Sequence, residues 1–561
     1  MTPLVTRLSW NVLPTVGFFL MIAVYLCALG LVGQPSVHPY FDRIGIRDAG
    51  TTLSYYASGQ SPLKAVFVQA MLHYEGPLQY IILNAYCFLV GDLFPLNPAT
   101  MQFPNTVFAF LATMFAYLLG KRLIDARFGI CCALAFALAA WLGETIRMPW
   151  YFNTMSCTLH FSTFYYFVSL MEMPKSRKYQ AAAAGSLALY LLTGMDWPAF
   201  GLSFGVFVLL SGRLRIVLLN PFNVAPLAVA LLQVTWPAAL YFAGREDLAP
   251  GTMLLYPFLR YTDLAANPDF APRVFNHVLS AWGPHLVVAL AGFALYGFRQ
   301  RRLMSELRIQ RSLFDATCLW FFVAGYGLVS SSTSITYLYV AAMPTALLAG
   351  LALWKMRNAW VGAIAIVMAV FQVYITSGKD FSFDREDDRR ILAAASFLIE
   401  QRPDLLTENK TAFLPRNAAS DVGQYARGRN NRIVMPRDFP VERRKHSVGS
   451  PEDTLISIVD AYNANGEIRA DWVLLDSELF GPEVKARDFY LRLMNDPKVK
   501  WIAQFKDGTG HNLSIGEVSN GQGTSFDRAP LLDTETLSEI YEAKYDRISF
   551  LKRNVQYVDH Y

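Results

Sequence analysis

Residues 361–390 read VGAIAIVMAVFQVYITSGKDFSFDREDDRR, and the change of chemistry inside that stretch decides the fold. Val361–Ser377 carries no charged side chain and is long enough to cross bilayer hydrocarbon as a helix. From Lys379 onward the chain is densely charged. Upstream, residues 1–378 hold 37 of the 93 Asp, Glu, Lys and Arg residues, and residues 379–561 hold the other 56. So sharp a step marks a domain boundary, with a bilayer-embedded domain at 1–378 and a water-soluble domain at 379–561. Over all 561 residues the chain is 53% hydrophobic and 17% charged, against about 25% charged in soluble proteins. That balance argues against a soluble enzyme, a disordered chain and a fibrous repeat. No basic aromatic tract outside the expected inner loops supports a nucleic-acid partner.

Working back toward the N-terminus, the hydropathy pattern predicts about eleven transmembrane helices. They are Asn11–Leu31, Pro104–Gly120, Phe128–Ile146, Leu159–Met173, Ala181–Leu192, Pro198–Leu210, Asn223–Phe242, His277–Phe298, Leu313–Ser330, Ile335–Trp354 and Val361–Ser377. The first is longer than a signal-peptide core and no A-x-A site follows, so it reads as a retained span. Gly76–Leu93 is also apolar but reads as an interfacial helix inside a long outer loop, 32–103. With it left out, the basic loops at Lys121–Arg127, Lys175–Lys178, Arg213–Arg215, Arg299–Arg311 and Lys355–Arg357 fall on one side. This positive-inside pattern puts the N-terminus in the cytoplasm and the C-terminal domain in the periplasm or its equivalent, with the chain in the inner (cytoplasmic) membrane.

In the tail, short strands are expected at Thr411–Leu414, Arg432–Met435, Trp472–Leu475, Trp501–Phe505 and Leu513–Val518. Helices are expected at Asp384–Arg402, Thr454–Tyr462 and Glu483–Met494, which makes an α/β layer. No Gly-rich phosphate loop follows a strand. The six cysteines all lie in apolar stretches and form neither a disulfide framework nor a zinc pattern. A divalent cation is compatible with this reading, but no ligand spacing supports one.

The residues able to do chemistry gather in the outer connections. Asp42 and Asp48 follow the first span, and an acid held just above the bilayer can act as a general base toward a hydroxyl. The plain alternative is a solvated acid paired with Arg43 or Arg47. His73, Tyr74 and Glu75 precede Gly76-Pro77-Leu78, a turn that suits a helix start. Arg147, Trp150, Tyr151 and Asn153 follow the third span, and Asp196 sits in the corner before Trp197-Pro198. Arg260 and Tyr261 lie in the loop Ala243–Asn276, an Arg–Tyr combination suited to a phosphate and a sugar and equally to any wet loop near lipid headgroups.

This ordered set resembles the GT-C integral-membrane glycosyltransferases, in the branch of protein O-mannosyltransferases and lipid A aminoarabinose transferases (glycosyltransferase family 39-like). The matching parts are Asp42 after the first span, the Glu75-Gly76-Pro77-Leu78 turn, Pro104-Asn105 where the class has R-L-P, and Gly120-Lys121-Arg122-Leu123 followed by Arg127-Phe128-Gly129. The resemblance covers residues 1 to about 215. The chain departs from the class pattern at Asn153, where a second acid often stands, and at Glu75-Gly76, where the class has Lys or His before Pro-Pro-Leu.

The resemblance implies an α-helical polytopic GT-C-like membrane protein with interfacial helices and a C-terminal soluble α/β domain. It implies transfer of a sugar from a polyprenyl-phosphate-linked donor to a hydroxyl of a lipid, glycan or protein acceptor on the outer face, with inversion. Asp42 would be the general base, with Asp48, Glu75 and Asp196 as alternates. Arg147, Arg260 and His73 would bind the donor phosphate, and Tyr74, Asn153 and Tyr261 the sugar or acceptor. A transporter or lipid-linked-sugar flippase and a non-catalytic envelope scaffold are the competing readings. The near absence of acids and bases inside the expected spans, Asp315 apart, favours interfacial chemistry over transport.

Overall fold

The computed structural model describes residues 12–31, 77–90, 93, 98–147, 153–193, 197–242, 270–301, 307–331, 339–376, 394, 397–398, 401–405, 412–413, 471–476, 494–506 and 512–518. The helices are α1 (Val12–Leu31), α2 (Pro77–Val90), α3 (Pro98–Leu123), α4 (Ala126–Ala137), α5 (Ala140–Arg147), α6 (Asn153–Glu172), α7 (Arg177–Leu191), α8 (Trp197–Ser211), α9 (Leu214–Leu218), α10 (Val224–Phe242), α11 (Phe270–Leu295), α12 (Arg308–Ser331), α13 (Ala342–Lys355) and α14 (Asn358–Thr376). Each expected span has a helix. Among the described residues, one helical stretch, Gln102–Leu123, is by itself long and apolar enough to cross a membrane.

Two departures from the expected spans have identifiable causes. Phe128–Ile146 is not one helix but two, α4 and α5, broken at Leu138–Ala139. The break holds neither Gly nor Pro. Instead the buried Gln372 of α14 reaches in and donates to Ala137 O at 3.1 Å and Ala139 O at 2.8 Å, the kind of side-chain intrusion that interrupts a helical ladder. In α11 the chain bends at Gly283-Pro284. Gly283 takes φ 44°, ψ −128°, a backbone state open to glycine, and a Cβ there would run into the Phe371 ring.

Packing follows from small residues and rings. α3 and α4 cross where Gly120 meets Gly129, so closely that a Cβ on Gly120 would lie 2.8 Å from the Gly129 Cα and one on Gly129 2.5 Å from Tyr117 O. Small residues allow such an approach between helices. Phe164 of α6, Phe200 and Phe204 of α8 and Trp320 of α12 interlock at centroid distances of 5.6–5.8 Å. The outward faces are apolar: Leu20, Val24, Leu209, Ile366 and Val370 are each more than 60% exposed. The interior, by contrast, buries Thr, Ser, Asn, Gln and His side chains. An apolar exterior around a partly polar interior suits hydrocarbon surroundings.

Hydrogen bonds sort the helix ends into two sets. At the basic end Arg122 Nε pairs with Glu172 Oε2 at 2.6 Å. Asp125 caps α4 through Phe128 N at 2.7 Å and accepts from Trp354 Nε1 at 3.1 Å. Arg127 donates to Met356 O, and Arg308 Nε to Leu210 O at 3.1 Å. Asp315 is shared by Arg301 at 3.1 Å, Arg311 at 3.8 Å and the Tyr296 hydroxyl at 2.8 Å. At the opposite, polar end the Leu78 amide donates to Leu192 O at 3.1 Å, and Asn105 Nδ2 to Thr145 O at 3.3 Å.

The tail forms a four-stranded sheet of order β1-β2-β4-β3, from β1 (Ala412–Phe413), β2 (Trp472–Asp476), β3 (Val499–Lys506) and β4 (Asn512–Val518). β1 pairs parallel with β2, and β4 pairs antiparallel with both β2 and β3. Trp472, Leu474, Leu513 and Ile515 are fully buried. Arg402 pins Asp404 at 2.8 Å and β4's Glu517 at 3.2 Å. The hydrogen bond with Asp404 chiefly raises the Arg402 pKa above its ordinary value; burial opposes this and Glu517 adds to it. The expected strand at Arg432–Met435 and helix at Thr454–Tyr462 lie outside the described residues.

Candidate active site

Most of the candidate residues belong to connections between helices. Asp42, Asp48, His73, Tyr74, Glu75, Asp196, Arg260 and Tyr261 lie outside the described residues. Arg147 is the last residue of α5, with its side chain outside the description, and Asn153 is the first residue of α6. The ends that flank these connections are tied together. Pro77 opens α2 two residues after Glu75, and the amide of Leu78 bonds Leu192, just before the Asp196 corner. Asn105 joins α3 to the end of α5, two residues before Arg147. The link 148–152 then leads into α6.

The described residues at this end bury an unusual set of neutral polar groups. Gln79 of α2, Gln102 and Asn105 of α3, Thr145 of α5 and Asn153 and Thr154 of α6 are all less than 6% exposed. Thr145 Oγ1 bonds its own helix at Trp141 O, 3.0 Å away. Thr158 Oγ1 bonds both Thr154 O at 3.0 Å and Phe108 O at 2.8 Å, fixing α6 against α3. Thr154 Oγ1, in the first turn of α6, is buried and has no hydrogen-bond partner among the described residues. The first four amides of any helix lack partners within it, and their dipoles favour an anion. This end of the bundle thus offers the first turn of a twenty-residue helix, a buried hydroxyl beside it and Arg147 six residues upstream.

The sequence reading passed over the interior of α6. The expected span began at Leu159, whereas the helix begins at Asn153 and buries Asn153, Thr154, Ser156, Thr158, His160, Ser162 and Thr163. His160 is boxed by rings, with Phe200 stacked at 5.7 Å, Trp320 edge-on at 5.0 Å and Tyr190 at 5.4 Å. The alternation of hydroxyls through Asn153–Thr163 was the available signal; it reads as a polar face on a helix only once the helix start is known. The start of α3 also moves: Pro104-Asn105 lies inside the helix, six residues past its first residue, Pro98. The Gly120-Lys121-Arg122-Leu123 segment falls at the basic end, away from the polar end, and serves packing and ion pairing there. No group of three His, Cys, Asp or Glu side chains among the described residues could hold a metal.

No protein-family model and no curated protein sequence matches the chain. Solved structures do. ArnT from Cupriavidus metallidurans bound to undecaprenyl phosphate is similar with a TM-score of 0.60 at 15% identity, over 91% of this chain and 99% of that one. The apo form of the same ArnT gives 0.59 at 13% identity, over 92% and 100%. The Archaeoglobus fulgidus oligosaccharyltransferase in complex with Zn and sulfate gives 0.51 at 12% identity, over 95% of this chain and 77% of that one. The likeness is one of fold. The chain has the fold of these structures, and it is the fold that its sequence motifs resemble.

Proposed function

We propose that this chain is a membrane glycosyltransferase that moves a sugar from a polyprenyl-phosphate donor to an acceptor hydroxyl at the polar end of the bundle. The observation that carries this reading is a coincidence. The fold is shared, over nearly all of both chains, with a transferase whose structure holds undecaprenyl phosphate. In this chain Glu75 precedes α2 by two residues and Arg147 precedes α6 by six, and the first turns of these helices bury Gln79, Asn153 and Thr154. The polar end faces the periplasm or its equivalent, the chain sits in the cytoplasmic membrane, and residues 379–561 form an extracytoplasmic domain over the site.

The chemistry is a single displacement. The Asp42 carboxylate takes the proton of the acceptor hydroxyl. That oxygen forms a bond to the anomeric carbon from the face opposite the donor phosphate. The carbon–oxygen bond to the phosphate breaks, its electron pair leaves on the phosphate oxygen, and polyprenyl phosphate departs. One displacement inverts the anomeric centre. Arg147, with Arg260 and His73, meets the charge that grows on the leaving phosphate, and the first turn of α6 adds its amide dipoles. Asn153, Tyr74 and Tyr261 hold sugar or acceptor hydroxyls.

The test compares purified wild type with Asp42→Asn, each given labelled polyprenyl-phosphate sugars and a membrane extract as acceptor, and follows release of polyprenyl phosphate. Release by wild type and its loss in the folded variant is the expected result. Release by both moves the base to Asp48, Glu75 or Asp196. Release by neither, from any donor tried, overturns the transferase reading in favour of transport or a scaffold.

A further inference from the structure

A helix that stops inside a bundle releases terminal carbonyls that must find donors. At the α4–α5 break the Leu138 and Ala139 amides serve Leu134 O and Phe136 O, and one side chain serves the carbonyls on either side of Leu138. Gln372 of α14, 235 residues from Ala137, is fully buried and places Nε2 at 3.1 Å from Ala137 O and 2.8 Å from Ala139 O. Ala139 O also receives the Leu142 amide at 3.0 Å. Backbone carbonyls can only accept, so the amide orientation is forced: both N–H groups point into the break. The Gln372 carbonyl oxygen, turned the other way, accepts from the Tyr25 hydroxyl of α1 at 2.5 Å. One amide thus ties α14 to α1, to the last residue of α4 and to the link before α5.

The far end of α5 is held in the same manner. Asn105 Nδ2 of α3 donates to Thr145 O, two residues before Arg147. α5 is therefore an eight-residue strut, about 12 Å long, with a side-chain amide at each end. Its remaining neighbours, α1, α3, α6, α11 and α14, pack its flanks.

We propose that Gln372 is a positioning residue for the donor: by filling the break it sets the aim of α5, and α5 sets where Arg147 and the start of α6 meet the phosphate. The inference rests on the donor reading above. It also states which substrate should feel the change, because the strut ends at the residue assigned to the phosphate and not at the assigned base.

Hydrogen exchange on the full chain in detergent reads the clamp with no substrate present. Gln372→Leu keeps the size and removes every bond. The α5 amides, Leu142–Arg147, should exchange at least about tenfold faster while α6 keeps its wild-type rates. In the transfer assay the same variant should raise the KM for the donor about tenfold and leave kcat within about twofold. Tyr25→Phe, which spares both carbonyl bonds, should leave α5 exchange and donor KM near wild type. Wild-type α5 exchange in folded Gln372→Leu overturns the clamp. Faster α5 exchange with an unchanged donor KM overturns the positioning role. Should Gln372→Leu not fold, Gln372→Glu, which offers one donor at most, takes its place, and wild-type α5 exchange in it overturns the clamp. If wild type transfers no sugar, the donor reading falls, and the clamp stands or falls on exchange alone.

Discussion

The two ends of the helical bundle are built from different chemistry. At the basic end charges answer one another: Arg122 with Glu172, Asp315 with Arg301 and Arg311, Asp125 with the α4 amides and Trp354. At the polar end the buried groups are neutral amides and hydroxyls. One of them, Thr154 Oγ1, has no hydrogen-bond partner among the described residues. Ion-paired surfaces close a structure and need nothing further. A buried hydroxyl left open costs about 1–3 kcal/mol; Ser169 Oγ and Thr317 Oγ1 share that state near the basic end, and what sets Thr154 apart is its place in the first turn of a twenty-residue helix. The difference separates an ion-paired end from the end to which the proposed chemistry is assigned.

Substitutions can break or sharpen that contrast. The largest effect is expected at Asp42, where the Asn variant should lose about 100-fold or more of transfer, measured as polyprenyl phosphate released per folded enzyme. Next is Arg147→Ala, expected to cut kcat/KM for the donor by about 10- to 100-fold, and adding salt should not restore it. At the basic end, Gly129→Val forces a side chain against Tyr117 O and should destabilise by about 1–3 kcal/mol, read as a lower thermal unfolding midpoint, with transfer by the folded fraction unchanged. The smallest effect is expected for Arg122→Ala. The pair with Glu172 is about one-quarter exposed on both sides, so its loss should cost under about 1 kcal/mol and leave transfer at wild-type levels. A transfer defect in Arg122→Ala as large as that in Arg147→Ala would erase the distinction between the ends.

Much of this contrast could be read from the residues. The charge step at Lys379, the apolar runs that become α1 and α14, and the basic loops that share one end all come from local composition, which the chain carries in consecutive residues. The α2 start at Pro77 is equally local, since proline suits the first helical position. What the residues hid is long-range. The α4–α5 break depends on Gln372, 235 positions away from Ala137, and nothing in Phe128–Ile146 announces it. The polar face of α6 was masked because the apolar run that marks a span begins at Leu159, while the helix begins six residues earlier. The Gly120-Lys121-Arg122-Leu123 motif was legible as a segment, but its place at the ion-paired end depends on Glu172, fifty residues on. For the acids, sequence gives the chain neighbourhood alone: Asp42, Asp48, Glu75 and Asp196 lie outside the described residues, and their roles rest on the proposal.

Which end of the bundle receives the lipid phosphate can be read directly. A polyprenyl phosphate with a photoreactive group next to the phosphate would be cross-linked to the full chain in membranes and the labelled peptides mapped by mass spectrometry. Labels are expected at the polar end, in segments 42–48, 147–154 and around Asp196, competed away by unlabelled polyprenyl phosphate. Labels confined to the basic segments 121–127 and 299–311 would contradict the proposal, because arginines at that end would then be the phosphate site.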